Sequence, residues 1–263
     1  MGNRVWVVKE QEAKLYYDIC KQASENEEVF SRFKTSGEYT TILSHVDKQK
    51  GSLYLRQIEI HYPELLKDNR YLINDKLGGD EFDRSSRKFK ENFGRGYSRH
   101  SQEYISADPS TFRYLKQVGD ILSICNPTSV VEIGGGYGGL LLLLSQYCDI
   151  NSYYDYDHPD VIKLVKKYLG NYNISVDDEV KDKYDLVISA FAWDELDVNV
   201  RKWYINNVFT KGEHGYIVAS EKTISPHLEH IRKVIDKPVH TVQYLSENYI
   251  QLGIGSHLNI TYW

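Results

Sequence analysis

From about residue 108 onward, two periods of hydrophobic and polar positions alternate along the chain. Short apolar runs bounded by turn residues predict strands, whereas longer segments with apolar positions three or four apart predict helices. The strands fall at residues 130–133, 152–156, 185–189 and 216–220, with a weaker one at 173–176, and the helices at 109–125, 140–147, 159–169, 198–209 and 226–235. This order predicts an α/β domain built on a parallel sheet.

The C-terminal pattern differs from the rest. Residues 239–245 and 257–263 both alternate, and the short connection between them contains Gly253 and Gly255. Parallel strands need a long crossover, so a short join favours an antiparallel pair. We therefore expect a mostly parallel sheet that is closed by an antiparallel hairpin.

The first third of the chain has poorer periodicity. A charged segment at 9–33 carries apolar positions such as Leu15, Ile19 and Phe33 and predicts a helix, and the mixed stretches 54–60 and 71–77 follow it. Asp108 and Pro109 resemble a helix cap and first helical position, which places a boundary just before them. We expect a mostly helical accessory region over 1–104 and a core domain over 105–263.

Composition narrows the class of protein only slightly. The net charge of −5 gives no general attraction to nucleic acid. Three widely spaced cysteines suit a reducing compartment, and the longest apolar run, 140–144, is too short to cross a bilayer. We expect a cytoplasmic protein without a nucleic-acid or membrane partner, and the sequence leaves homo-oligomerisation open.

The main chemical signal is the run VEIGGGYGGL at 131–140, in which a predicted strand enters a glycine loop and then a helix. The glycines also satisfy the dinucleotide fingerprint, so they do not decide the ligand alone. Glu132 lies two residues before the first glycine, where it would repel a diphosphate and attract a cation. S-adenosylmethionine carries an ammonium and a sulfonium but no phosphate. We therefore expect this cofactor, bound by Glu132 and by the loop residues Gly134, Gly136, Tyr137 and Gly138, with a dinucleotide site or a structural turn as alternatives.

A second acid is expected about 20 residues further on, where a carboxylate would bind the ribose hydroxyls. Asp157 has the better spacing, and Asp155, one strand period earlier, is the alternative. Asp157 could instead cap the following helix. Asp177 ends the weak strand and is a candidate for an adenine contact, although adjacent acids also suit a solvated turn. Ser189, at the end of the next strand, is a further candidate cofactor contact.

Three motifs in order resemble the sugar O-methyltransferases of bacterial polysaccharide gene clusters: VEIGGGYGGL at 131–140, YDYDHP at 154–159, and YDLVISAFAWDEL at 184–196. The resemblance covers about residues 105–260. It implies a Rossmann-like class I methyltransferase sheet and a sugar hydroxyl, in a nucleotide sugar or a glycan precursor, as methyl acceptor. His158 stands where the family usually has leucine, and Trp193 and Asp194 replace smaller residues, so the acceptor need not be the family's commonest.

A sugar hydroxyl is a poor nucleophile and needs a base within hydrogen-bond reach. The resemblance and the position after a strand favour Glu195, with Asp194 second and His257 third; capping of the next helix is the alternative for the two acids. Trp193 and Glu221 are expected to contact the acceptor. His227 and His230, three residues apart, suit a solvated helix face better than a metal, so we expect no metal site.

The segment 84–100 holds six basic residues against Glu91. Arg95, Arg99 and His100 are candidates to clamp the diphosphate of a nucleotide sugar. A solvated basic face or an RNA contact would also account for the charge. Two further functions stay open: methylation of another small molecule, a protein or RNA, and cofactor binding without turnover.

Overall fold

The structure is a computed structural model that describes residues 10–42, 46, 48–67, 69–73, 76–77, 109–244 and 258–263. Asp108, the basic segment 84–100 with Arg95, Arg99 and His100, and the hairpin connection with His257 lie outside the described residues. The helices are α1 (Glu10–Glu25), α2 (Glu27–Ser31), α3 (Gly37–Ile42), α4 (Lys48–His61), α5 (Pro109–Leu122), α6 (Gly139–Leu144), α7 (Pro159–Gly170), α8 (Val198–Asn207), α9 (Glu221–Ile224) and α10 (Leu228–Ile235).

Six strands form a single sheet in the described part of the chain: β1 (Ser129–Ile133), β2 (Ser152–Tyr156), β3 (Tyr184–Ala190), β4 (Gly212–Ser220), β5 (His240–Gln243) and β6 (Leu258–Tyr262). Their order is β2-β1-β3-β4-β6-β5. The first four pair in parallel, and β6 pairs antiparallel with both β4 and β5. The predicted mostly parallel sheet with an antiparallel C-terminal pair is confirmed.

The predicted strand at 173–176 is wrong. Helix α7 ends just before it, and Asn173 adopts a left-handed conformation with a φ of 61°. The N–H of Ile174 then bonds back to the Leu169 carbonyl at 3.1 Å, which closes the helix end. One backbone bond, from Asp177 N–H to the Tyr153 carbonyl at 2.7 Å, joins the segment to β2. Because the helix closure uses these residues, no ladder forms beyond β2 among the described residues.

Several element boundaries also differ from the predictions. The helix predicted at 9–33 is interrupted at Asn26, whose side chain caps α2 by accepting from Glu28 N–H at 2.8 Å. Helix α5 ends at Leu122 rather than near 125. The helices predicted at 198–209 and 226–235 each contain a tighter turn, at Phe209–Lys211 and Ser225–His227 respectively.

A hydrophobic core lies on each face of the sheet. The first core combines residues of β1, α5 and α7 with residues of the N-terminal helices, such as Phe33 and Ile58. Helix α1 packs on α7, and α4 packs on α5. The described N-terminal helices therefore share a core with the sheet. Among the described residues, no helix is both long enough and apolar enough to cross a membrane.

Candidate functional site

The glycine loop follows β1 at the carboxyl edge of the parallel strands. Gly134, Gly136 and Gly138 have φ values of 73°, 59° and 88°, a region that residues with a Cβ rarely adopt. Two loop amides point at the end of β2: Gly135 N–H donates to Asp155 Oδ1 at 3.1 Å, and Gly136 N–H donates to Asp157 Oδ2 at 3.3 Å. The loop and the two acids are thus one hydrogen-bonded unit.

Glu132 is a buried carboxylic acid directly beneath this loop, with 2% of its surface exposed. Its Oε2 accepts a hydrogen bond from the Tyr153 hydroxyl at 2.8 Å. Burial raises the pKa of Glu132 to about 7, and the bond from Tyr153 only partly opposes that rise. A cation bound beside it would favour the ionised form.

Asp155 is also buried, and its Oδ2 has no hydrogen-bond partner. Burial raises its pKa well above the ordinary value, and the charges of Asp157 and Glu132 raise it further, while the bond from Gly135 N–H opposes them. A buried carboxyl oxygen without a hydrogen-bond partner is costly in a folded protein, and burial here disfavours the ionised form. This oxygen is therefore a specific place at which a donor or a cation would be stabilised.

Asp157 lies deep among protein atoms but keeps part of its surface exposed. Its Oδ1 accepts from His158 N–H at 2.6 Å. Burial raises the pKa of Asp157 to about 7, against the lowering effect of the bonds from His158 and Gly136. The cap of α7 is His158, whose ring accepts from Asp160 N–H at 3.3 Å. The helix-cap alternative for Asp157 is therefore not what the structure shows.

Helix α1 supplies a side of the site that the sequence did not indicate. The Tyr17 ring stacks on the His158 ring with centroids 3.9 Å apart and 7° between planes. Burial raises the pKa of Tyr17, and the charges of Asp157 and then Glu195 raise it further. Tyr17 is thus a neighbour of both acids. The position of α1 beside these acids depends on how distant parts of the chain pack together, so no local sequence motif predicts it.

The two acids predicted as candidates for the general base, Asp194 and Glu195, lie in different environments. Asp194 accepts from Ser220 N–H and Ser220 hydroxyl at 3.0 Å each and from the Thr223 hydroxyl. It thereby ties the turn Ala192–Glu195 to the end of β4. Glu195 is exposed, and partial desolvation by its surroundings, followed by the charge of Asp194, raises its pKa. Of the two, Glu195 is the more exposed residue, whereas the Asp194 carboxylate is held by Ser220 and Thr223.

Three predicted site residues lie elsewhere. Asp177 accepts from the Ser152 hydroxyl at the start of β2, and so lies at the amino edge, because the strand expected to carry it to the carboxyl edge does not form. Tyr137 is buried against Phe33, Tyr39, Tyr114 and Tyr168, so its side chain faces the core. Trp193 is fully buried against Phe209 and His227, since its large apolar surface is removed from water there.

The remaining predicted residues take supporting or open positions. Ser189 is buried in β3, and its hydroxyl lies 3.4 Å from the Ile133 carbonyl that it faces. Glu221 is exposed at the first turn of α9, beyond the carboxyl end of β4. His227 packs in the core, whereas His230 bonds to Asn206 at 2.9 Å. Within the described ranges, no three His, Cys, Asp or Glu side chains are grouped as metal ligands would be.

No model of a known protein family matches the chain, and no curated protein matches it. Solved structures with a similar fold include the methyltransferase domain of bacterial CtHen1, 16% identical over 56% of this chain and 96% of its own, with a TM-score of 0.46. The magnesium protoporphyrin IX methyltransferase ChlM from Synechocystis PCC 6803, solved with bound SAM, is 12% identical over 57% of this chain and 76% of its own, at 0.43. The N-methyltransferase NodS from Bradyrhizobium japonicum WM9, in complex with S-adenosyl-l-homocysteine, is 16% identical over 57% and 84%, at 0.40.

Proposed function

We propose that this chain is an S-adenosylmethionine-dependent methyltransferase that methylates a hydroxyl of a sugar. One observation in particular supports S-adenosylmethionine as the cofactor. Three carboxylic acids, Glu132, Asp155 and Asp157, gather around the glycine loop at the carboxyl edge of the sheet. A dinucleotide would bring a diphosphate to this loop, against that charge, whereas a sulfonium and an ammonium are attracted by it.

The residues present fit such a group. The unpartnered Asp155 Oδ2 offers an acceptor, and Gly135 leaves a cradle that a Cβ would fill, at 2.6 Å from the Tyr153 hydroxyl and 2.9 Å from Glu132 Oε2. Glu132 and Asp155 would hold the cationic part of the cofactor, and the partly open Asp157 would accept from its ribose hydroxyls. When bound, S-adenosylmethionine supplies an electrophilic methyl group on its sulfonium.

The chain's own part in the reaction is to align the acceptor and remove its proton. Glu195 lies on the turn after β3, at the carboxyl edge; it is exposed, and its charge acts on Asp157. Its raised pKa makes it a stronger base than an ordinary glutamate. We assign the proton of the acceptor hydroxyl to Glu195, and the sugar as acceptor rests on the three motifs that resemble sugar O-methyltransferases.

The experiment combines calorimetry with a transfer assay. We expect S-adenosylmethionine to bind and NAD not to bind, and we expect a labelled methyl group to pass from the cofactor to a sugar in a panel of nucleotide sugars and glycan precursors. Binding of NAD instead of S-adenosylmethionine would overturn the cofactor assignment. Cofactor binding with methyl transfer only to a protein, RNA or another small molecule would overturn the proposal that a sugar is the acceptor. Cofactor binding without any transfer would favour a non-catalytic module.

The base is tested by Glu195→Gln with Asp194→Asn as its matched control. We expect Glu195→Gln to lower kcat by about 100-fold or more while leaving cofactor affinity nearly unchanged. Asp194→Asn should mainly lower the melting temperature, because its contacts with Ser220 and Thr223 hold the turn. Undiminished turnover in Glu195→Gln would remove this residue as the base.

A further inference from the structure

Arg113 is a largely enclosed arginine on the first turns of α5, at the same edge of the sheet as the glycine loop. The guanidinium lies over the Phe191 ring, 5.3 Å from its centroid, and over the Tyr114 ring at 4.9 Å. Phe191 directly follows β3, so it opens the loop that leads to Glu195. Arg113 therefore lies at the carboxyl edge of the sheet, beside the start of the turn that carries Glu195.

The hydrogen bonding of Arg113 is incomplete within the described residues. A guanidinium has five N–H donors. Arg113 Nη2 donates to the Tyr114 hydroxyl at 3.2 Å, whereas Nε is shielded from solvent and has no partner. The titratable groups near it in the described ranges are the tyrosines Tyr54, Tyr114 and Tyr244, whose phenols are neutral, and no carboxylate pairs with it there. Lys116, one turn along α5, is already paired with Asp120 at 2.6 Å.

The aromatic setting of Arg113 is itself constrained. Phe191 has a φ of 71°, a left-handed conformation that is a rare outlier for a bulky residue. The Phe191 ring meets the Tyr244 ring at 90°, with centroids 5.6 Å apart. These contacts hold the planar guanidinium between rings, which orients its fork of donors. Strained backbone of this kind is typical of sites that bind ligands.

Opposite charges lie at different strand ends of the same sheet edge. Glu132, Asp155 and Asp157 gather at the glycine loop and the end of β2, whereas the Arg113 guanidinium lies against Phe191, just after β3. A cationic cofactor suits the acids. A partly buried guanidinium without a carboxylate partner among the described residues suits an oxyanion, because arginine binds phosphate and carboxylate groups through two parallel hydrogen bonds.

We propose that Arg113 binds an anionic group of the methyl acceptor, so that the substrate is a sugar that carries a phosphate or a carboxylate. This inference rests on the proposed function and narrows its substrate class. Arg113 is a specificity residue in this account. The two sources of the anion, the diphosphate of a nucleotide sugar and the carboxylate of a uronic acid, share the chemistry that the guanidinium recognises.

The test uses Arg113→Met, which keeps the length of the stem but removes the charge, and Arg113→Lys, which keeps the charge but not the fork. Arg56→Met, at an exposed arginine of α4, is the matched control. Calorimetry with UDP, inorganic pyrophosphate and glucuronate measures anion binding without turnover. We expect one of these anions to bind the wild type about 10- to 100-fold more tightly than it binds Arg113→Met, with Arg113→Lys in between and Arg56→Met unchanged.

Steady-state kinetics then compares the effect of Arg113→Met on the KM of a charged sugar with its effect on the KM of a neutral glycoside. A merely structural role would change both values together. We expect Arg113→Met to raise KM for the charged sugar by a similar factor and to leave cofactor affinity and the KM of a neutral glycoside within about threefold. Preference for UDP and pyrophosphate identifies a phosphate, and preference for glucuronate identifies a carboxylate. Equal anion binding by Arg113→Met and Arg113→Lys and the wild type, or an equal loss in Arg56→Met, overturns the inference.

The two proposals fail differently. Anion binding that depends on Arg113, without methyl transfer to any sugar, sinks the proposed function and supports the anion site. Sugar methylation that is indifferent to Arg113 and to acceptor charge supports the function and overturns the site.

Discussion

At the scale of single residues, the chemistry of this protein is concentrated in acids that the fold keeps partly protonated. Glu132 is the clearest, because it is enclosed by protein and has Tyr153 as its donor. Its pKa of about 7 lies well above the ordinary 4.5. A group whose folded pKa is raised stabilises the protein fully below its unfolded pKa and loses that contribution as the pH rises through the folded value. The contribution of Glu132 to the stability of the free protein should thus be larger at pH 5 than at pH 8.

The first prediction follows from the direction of this pH dependence. Glu132→Gln removes the charge that is costly to bury, and the glutamine oxygen can still accept from Tyr153. At pH 8 we expect the free energy of unfolding of the cofactor-free variant to exceed that of the wild type by up to about 3 kcal/mol, with little difference near pH 4. Cofactor affinity should fall about 10- to 100-fold. Chemical denaturation at both pH values and calorimetry with S-adenosylmethionine measure the two effects.

Glu179→Gln, at an exposed acid, should change neither quantity. A Glu132→Gln variant that binds the cofactor as tightly as the wild type would contradict the assignment of Glu132 to the cationic group.

The second prediction concerns the pH dependence of binding. Glu132 and Asp157 both have a pKa of about 7 in the free protein, so each is partly protonated near neutral pH. A bound cation favours their ionised forms, and binding must then release protons. We expect affinity for S-adenosylmethionine to rise from pH 6 to pH 8. Calorimetry in buffers of different ionisation enthalpy counts the protons, and an absence of release at pH 6.5 would contradict the carboxylate cluster as the binding site.

At the scale of elements, the unit that matters is β1, the glycine loop and α6. Strand β1 lies between β2 and β3 and is mostly buried, so its end is fixed in position. Three glycines with positive φ then turn the chain and aim the amides of Gly135 and Gly136 at the end of β2. The path of the loop is therefore set by backbone conformation and close approach, and the buried Tyr137 side chain attaches the loop to the core.

The third prediction tests that close approach. A Cβ at position 135 would lie 2.6 Å from the buried Tyr153 hydroxyl and 2.9 Å from Glu132 Oε2. We expect Gly135→Ala to lower the free energy of unfolding by about 1–3 kcal/mol and to weaken cofactor binding more than tenfold. Gly170→Ala is the matched control, because no atom lies within 4 Å of the added Cβ at this helical position. It should be neutral or stabilising by up to about 1 kcal/mol, as thermal unfolding would show. Equal behaviour of the two variants would contradict the role of the cradle.

At the scale of the whole molecule, the N-terminal helices and the sheet are joined by aromatic packing. The Tyr137 ring, which leaves the glycine loop for the core, meets Phe33 at 6.4 Å and Tyr39 at 5.8 Å between centroids. The same ring meets Tyr168 of α7 at 5.6 Å. One side chain therefore links the glycine loop, the N-terminal helices and α7.

The fourth prediction is that this linkage makes unfolding cooperative. Tyr137→Ala should lower the free energy of unfolding by about 3–5 kcal/mol, because it removes a buried ring at the junction. We expect a single transition in calorimetry and in circular dichroism. Leu15→Ala, at a residue that is 54% exposed on α1, should change stability by less than about 0.5 kcal/mol. Two separate transitions in the wild type would show that the N-terminal helices fold independently of the sheet.

The sequence by itself determined the sheet class, the position of the glycine loop and the acids at the ends of β1 and β2. These features depend on local period and spacing, which a strand–loop–helix unit fixes along a few residues. It also marked Glu195, through its place after a strand. The split into 1–104 and 105–263 stays a prediction, as do the roles assigned to His257 and to the basic segment, which lie outside the described residues.

The tertiary structure decided which side chains share a space. Asp177 follows a segment that the closing turn of α7 keeps from pairing, so it ends at the wrong edge. Trp193 and Tyr137 face the core, because burying their large rings is more favourable than leaving the rings exposed at the carboxyl edge of the sheet. Tyr17 approaches the acids from α1, a helix distant in sequence. Period and spacing describe single elements, whereas these placements depend on how the elements pack, and the packing is set by the whole chain at once.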